Sequence, residues 1–158
     1  MNRLSLASVA LDGHIQKIPL SELFMRVYRV VDYIKNVPEM EYADEDIKII
    51  NAFLNEKTYN AETAEYLEKN ADAQDEAYFA ESGEQNANLT KKAVMAFKKA
   101  RLFMGMLHIH ESLNSNNNDI VRNSDVREGL YELLACIERD NQIISHDSHA
   151  LGIFELLK

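Results

Sequence analysis

Very little in this chain stops a helix. Pro19, Pro38 and five glycines are all the strong breakers in 158 residues, and none falls between Pro38 and Gly83 or between Gly83 and Gly105. Sandwiches and barrels of short strands need turn signals about every 8–12 residues. Breaker-free stretches of this length favour a few long helices instead. Apolar residues make up 46% of the chain and charged residues 27%, ordinary globular proportions that allow a buried core without cross-links. The length fits a single domain, residues 1–158, with 1–20 as an N-terminal arm and 21–158 as a helical bundle.

The apolar periodicity places the helices. Helix one runs from the cap Ser21 to about Asn36, with Leu20, Leu23, Phe24, Val27, Val31 and Ile34 in phase and Pro38 ending it. Tyr28, Val30 and Tyr33 widen its apolar surface, so it is expected to touch neighbours on two sides. Helix two starts at the cap Asp44 and carries Ile47, Ile50 and Leu54, with Ile49 and Phe53 beside them. Helix three, about Asn60 to Phe79, has only a thin stripe of Ala64, Leu67, Ala71 and Tyr78 and reads as peripheral.

A loop over 81–88 leads to helix four, Leu89 to Ser112, capped by Asn88 or Thr90. It is apolar nearly all round from Leu102 to Ile109, the pattern of an enclosed central helix. After the polar loop 114–119, helix five begins near Ser124 and turns Val126, Leu130, Leu133, Leu134 and Ile137 to one face. Gly129 inside it costs up to about 1 kcal/mol against alanine, which points to close helix packing there. A last helix spans His146–Leu157. At the other end, residues 4–20 alternate loosely around Asp12-Gly13, a hairpin-favouring dipeptide, and read as a short β-hairpin or an irregular arm. The expected architecture is all-α: an irregular bundle of five or six helices, with a long central helix and that arm or hairpin.

Charge divides the chain. Residues 39–85 hold 14 acids against Lys48, Lys57 and Lys69, a net of −11, although the whole chain is only −9. Glu62, Glu65, Glu68, Asp72, Asp75 and Glu76 fall largely along one stripe of helix three. Such a stripe can be a solvated face. It can also approximate a row of phosphates and meet a basic partner, including one whose usual ligand is nucleic acid. Helix four is the opposite pole: Lys91, Lys92, Lys98, Lys99 and Arg101 occur with no acid between Gln85 and His110. Seven-residue spacing stacks Lys91 on Lys98 and Lys92 on Lys99. This stripe offers a nucleic-acid contact, or a match for the acidic helices of the same chain or of a second copy. The two poles together suggest a homodimer.

Catalytic chemistry has few candidates. His108 and His110 lie roughly 200° apart on a helix and cannot chelate one ion together. His146 and His149, with His108 or His110 and Glu111, form a chemically sensible zinc set only if those helices meet. Of the pair on helix four, His108 reads as the satisfied histidine beside the core. The dipeptide His146-Asp147 suggests an HD phosphohydrolase, but no aspartate follows it before Lys158. There is no Glu-x-x-His pair, phosphate loop, Gly-x-Ser-x-Gly or His-Glu-x-x-His. Cys136, the sole cysteine, reads as a buried structural thiol, and Met25, Met95, Met104 and Met106 as core filler.

No cofactor or resident metal is expected. The longest unbroken apolar run, Leu102–Leu107, is far short of a membrane span. The run Leu4–Leu11 is interrupted by two serines and ended by Asp12, so it does not read as a signal peptide, and a cytoplasmic location is expected. The reading is a non-enzymatic acidic protein that binds another macromolecule as inhibitor, adaptor or subunit. Phage-encoded inhibitors share that profile, and a basic nucleic-acid-binding protein is the favoured partner. The alternatives are a nucleic-acid binder using Lys91–Arg101 and a metal-dependent enzyme using His146 and His149.

Overall fold

The computed structural model describes residues 20–37, 40–82 and 91–114 and, between 125 and 136, residues 125, 126, 128–130, 132, 133 and 136. Four continuous helices are described: α1 (Leu20–Lys35), α2 (Asp44–Asn55), α3 (Ala61–Ser82) and α4 (Lys91–Ser112). The described residues between 125 and 136, here the 125–136 segment, are helical too. The fold is all-α, with no strand among the described residues. The expected arm or hairpin at 1–20 (but for Leu20), most of the polar loop 114–119 and the last helix His146–Leu157 lie outside them.

The caps follow local chemistry, with two corrections. Leu20 already belongs to α1, so Ser21 lies in its first turn and is not the cap. The cap of α2 is Ala43, not Asp44: Ala43 is extended (φ −74°, ψ 162°) and its N–H donates to the Asp46 carboxylate at 2.9 Å. The acids Asp44, Glu45 and Asp46 then all favour the positive end of the helix dipole. At α3 the Asn60 side-chain oxygen accepts the N–H groups of Glu62 (2.9 Å) and Thr63 (3.3 Å), two donors that the first turn otherwise leaves without partners. Replacing Asn60 with alanine is expected to lower stability by about 1 kcal/mol, read as an earlier urea midpoint at constant slope. An unchanged midpoint would show that the cap contributes nothing.

Burial follows helical phase. Val27, Val30, Val31 and Ile34 of α1 are fully buried, so α1 does present two apolar sides. On α2 the buried face is Ile49, Ile50 and Phe53, while Ile47 and Leu54 are only half-buried. That face is turned one position from the expected Ile47–Ile50–Leu54 row: Ile50 and Phe53 are both fully buried, and the Phe53 ring lies tilted against Tyr28 with centroids 5.1 Å apart. Ala64, Leu67 and Ala71 form the thin inner stripe of α3. From Leu102 to Ile109 every α4 residue is buried except the half-buried Met104 and His108.

Helices α3 and α4 run antiparallel. Tyr78 meets Phe97, Asp75 meets Arg101 and Asn60 meets His110, so partners rise along α4 as positions fall along α3. The same α4 touches α2 through Lys99–Asp46 and reaches the 125–136 segment through Arg101–Glu132. It crosses that segment at two glycines. A Cβ on Gly105 would lie 2.8 Å from the Gly129 carbonyl oxygen, and one on Gly129 would lie 2.8 Å from the Gly105 carbonyl oxygen and 2.5 Å from Ile109 Cγ1. Hydrogen in place of a side chain lets the backbones touch. Among the described residues no helix is long and apolar enough to cross a membrane.

Candidate interaction surface

The acids singled out on α3 divide by environment. Glu62, Glu65, Glu68, Asp72 and Glu76 are exposed. Asp75 is half-buried and both its carboxylate oxygens accept from the Arg101 guanidinium at 3.2 Å. Asp75 thus faces Arg101 of α4, whereas Glu68, seven residues earlier, is exposed and has no such partner among the described residues.

Glu65, Glu68, Asp72 and Glu76 form a row on the outer face. At 1.5 Å of rise per residue it extends about 16 Å. Among the described residues no cation lies within ion-pair distance of any of the four. The row ends at Phe79, three residues beyond Glu76 and on the same face, with 67% of its surface exposed. Its neighbour Tyr78 contacts the ring edge-on at 5.2 Å and is itself held against Phe97 of α4 at 5.4 Å. The Phe79 ring is thus fixed at its base and open at its tip. Tyr66, also well exposed, stands off the row and donates its hydroxyl to Glu62 at 3.3 Å. The last turn of α3 holds no basic residue, so acids gather where the helix dipole is negative.

The basic residues of α4 do not present one face. Lys91 and Lys92 are exposed, with Lys91 3.1 Å from Glu41. Lys98 is completely buried and donates to the backbone carbonyl of Cys136 at 3.1 Å. Lys99 pairs with the buried Asp46 at 3.0 Å. Arg101 is shared between Asp75 and Glu132, the latter at 2.9 Å. Sequence spacing aligned these side chains in azimuth but not in depth: α4 enters the bundle between Lys92 and Lys98, and Lys98, Lys99 and Arg101 are packed or paired. Much of the basic stripe therefore pairs within the chain.

Among the described residues neither histidine of α4 belongs to a cluster of potential metal ligands. No group of three or more potential ligands gathers among the described residues, and His146 and His149 lie outside them. His110, not His108, is the histidine in the core. It accepts the Asn60 N–H on Nε2 at 2.9 Å and stacks on Tyr59 at 5.4 Å. The signal was available: His110 is in phase with the buried Phe103 and Met106, whereas His108 is in phase with the half-buried Arg101 and Met104. Cys136 is a fully buried free thiol, and burial pushes it up to about 12 against the pull of Lys98 and Arg101. A thiol so protonated is no nucleophile.

Comparison of the chain with protein-family models, with curated proteins and with solved structures gives no significant match.

Proposed function

We propose that this protein acts by binding a basic macromolecular partner through the outer face of α3, as an inhibitor, adaptor or subunit, in a bundle of which α4 is the central helix. The observation that carries this reading is the row Glu65, Glu68, Asp72 and Glu76, exposed, without a described counter-charge and ending at the exposed Phe79. Single exposed apolar residues are common, and so are acidic faces. Together they fit a docking surface, in which an aromatic anchor supplies desolvation energy and flanking charges supply orientation and rate. Acids about one helical turn apart repeat near 6 Å along the axis, a spacing that suits a groove built for a phosphate backbone. A nucleic-acid-binding protein is the favoured partner class.

The reading is tested by affinity purification from the native host with mass spectrometry, followed by kinetics on the recovered partner. Reversing Glu65, Glu68, Asp72 and Glu76 to lysine leaves the helical spectrum intact, because none of the four packs in the core. Asp75 is kept, since Arg101 depends on it. Association is expected to slow at least tenfold, and the wild-type rate to fall steeply with salt. Unchanged association in that variant, with loss in Lys91→Glu/Lys92→Glu, would put the contact on the other pole and favour nucleic acid as ligand.

A further inference from the structure

A second feature is formed by α1 and the residues that follow α2 and α4, with no α3 residue among its described lining. Phe24, Met25 and Tyr28 of α1, Lys57 after α2 and Leu113 after α4 line an open cleft of about 480 Å³. That volume falls within the range of small-molecule sites, about 300–1,000 Å³. Its walls are almost wholly apolar, and Met25 at its edge is 62% exposed. Among its described lining residues one is charged. The Lys57 ammonium lies 3.5 Å from the centre of the Tyr28 ring and donates to the Leu54 carbonyl at 2.7 Å, so two contacts fix its position.

Among the described residues no carboxylate pairs with Lys57. The adjacent acid, Glu56, is engaged elsewhere: it accepts from Thr63 Oγ1 at 2.6 Å and from Asn60 Nδ2 at 3.2 Å. An ammonium offers three donors, and the Leu54 carbonyl takes one.

We propose that this cleft binds a free medium-chain alkyl carboxylate, its chain along Phe24, Met25, Tyr28 and Leu113 and its head on Lys57. The charge of Lys57 selects the anion, and the apolar walls take the chain. Partial burial already lowers the lysine from its usual range, and an adjacent anion relieves that cost. This site is independent of the α3 surface.

Calorimetric titration of the full chain with sodium decanoate, decanol and decyltrimethylammonium tests it. Decanoate is expected to bind one per chain, with decanol at least tenfold weaker and the cation weaker still. Lys57→Met, at an exposed position, keeps the melting temperature and lowers decanoate affinity at least tenfold, to the level of decanol. Met25→Glu lowers decanoate affinity as well. Equal binding of the three decyl compounds, or full decanoate affinity in Lys57→Met, overturns the proposal. No saturable heat with decanoate overturns it equally.

Discussion

Between pH 9 and 12 the protein is expected to lose its fold. Burial raises the Tyr28 phenol to about 12, with the Glu56 charge adding to the effect. Burial raises Tyr42 further, helped by Cys136 and Asp46, and holds the Cys136 thiol near 12. All three groups are neutral when protonated. The unfolded chain releases these protons near 9 for cysteine and 10 for tyrosine, so above those values the native state binds more protons than the unfolded one. Stability is therefore complete below about pH 9 and falls as pH rises toward 12, at about 1.4 kcal/mol per pH unit for each group in its window. Tyr28 and Cys136 together then remove several kcal/mol, a large part of the stability of an ordinary domain, about 5–15 kcal/mol. Circular dichroism through the titration should show a cooperative loss of helix with onset near pH 9–10, and Cys136→Ala should move the onset upward. Helices intact with all seven tyrosines ionised would refute it.

Replacing Gly129 with alanine is expected to destabilise the protein by about 2–3 kcal/mol, although the same change in an isolated helix stabilises by up to about 1 kcal/mol. The clash decides the sign. A methyl group there meets Ile109 Cγ1 at 2.5 Å and the Gly105 carbonyl at 2.8 Å. The isoleucine can rotate, but the carbonyl belongs to the α4 backbone, so the helices must separate. Valine at the same position is worse. Urea denaturation of both variants measures the effect; a stabilised Gly129→Ala would mean that the crossing is looser than these distances.

Most of the helical order is legible in the sequence because it rests on local terms. Breakers, caps and the 3.6-residue phase put α1 to α4 within a few residues of their ends, and Gly129 announced its close crossing. Depth is not a local term. Lys98 stands in the row Val94, Lys98, Leu102, Gly105 and Ile109, the most buried line of α4, yet lysine in a sequence reads as surface. Its ammonium donates to a carbonyl 38 residues away, a partner that no local pattern announces. Asp75 likewise reads as part of the acidic row until the position of Arg101, 26 residues on, is known. Composition could identify the acidic helix. It could not divide its acids into those spent on the fold and those left to solvent.

The bond from Asn60 to His110 joins residues 50 apart and encloses α3 completely. Contacts of that span form only after the intervening chain has turned back on itself, and loop-closure entropy opposes them until then. Here the closure is shared: α3 packs against α4 more extensively than any other described pair of helices do against each other, through Tyr78–Phe97, Asp75–Arg101 and Asn60–His110 along its length. The Asn60–His110 bond is the far rung of that antiparallel pair. The face that we assign to partner binding therefore lies on a helix anchored at both ends, and a partner can load it without prising the bundle apart.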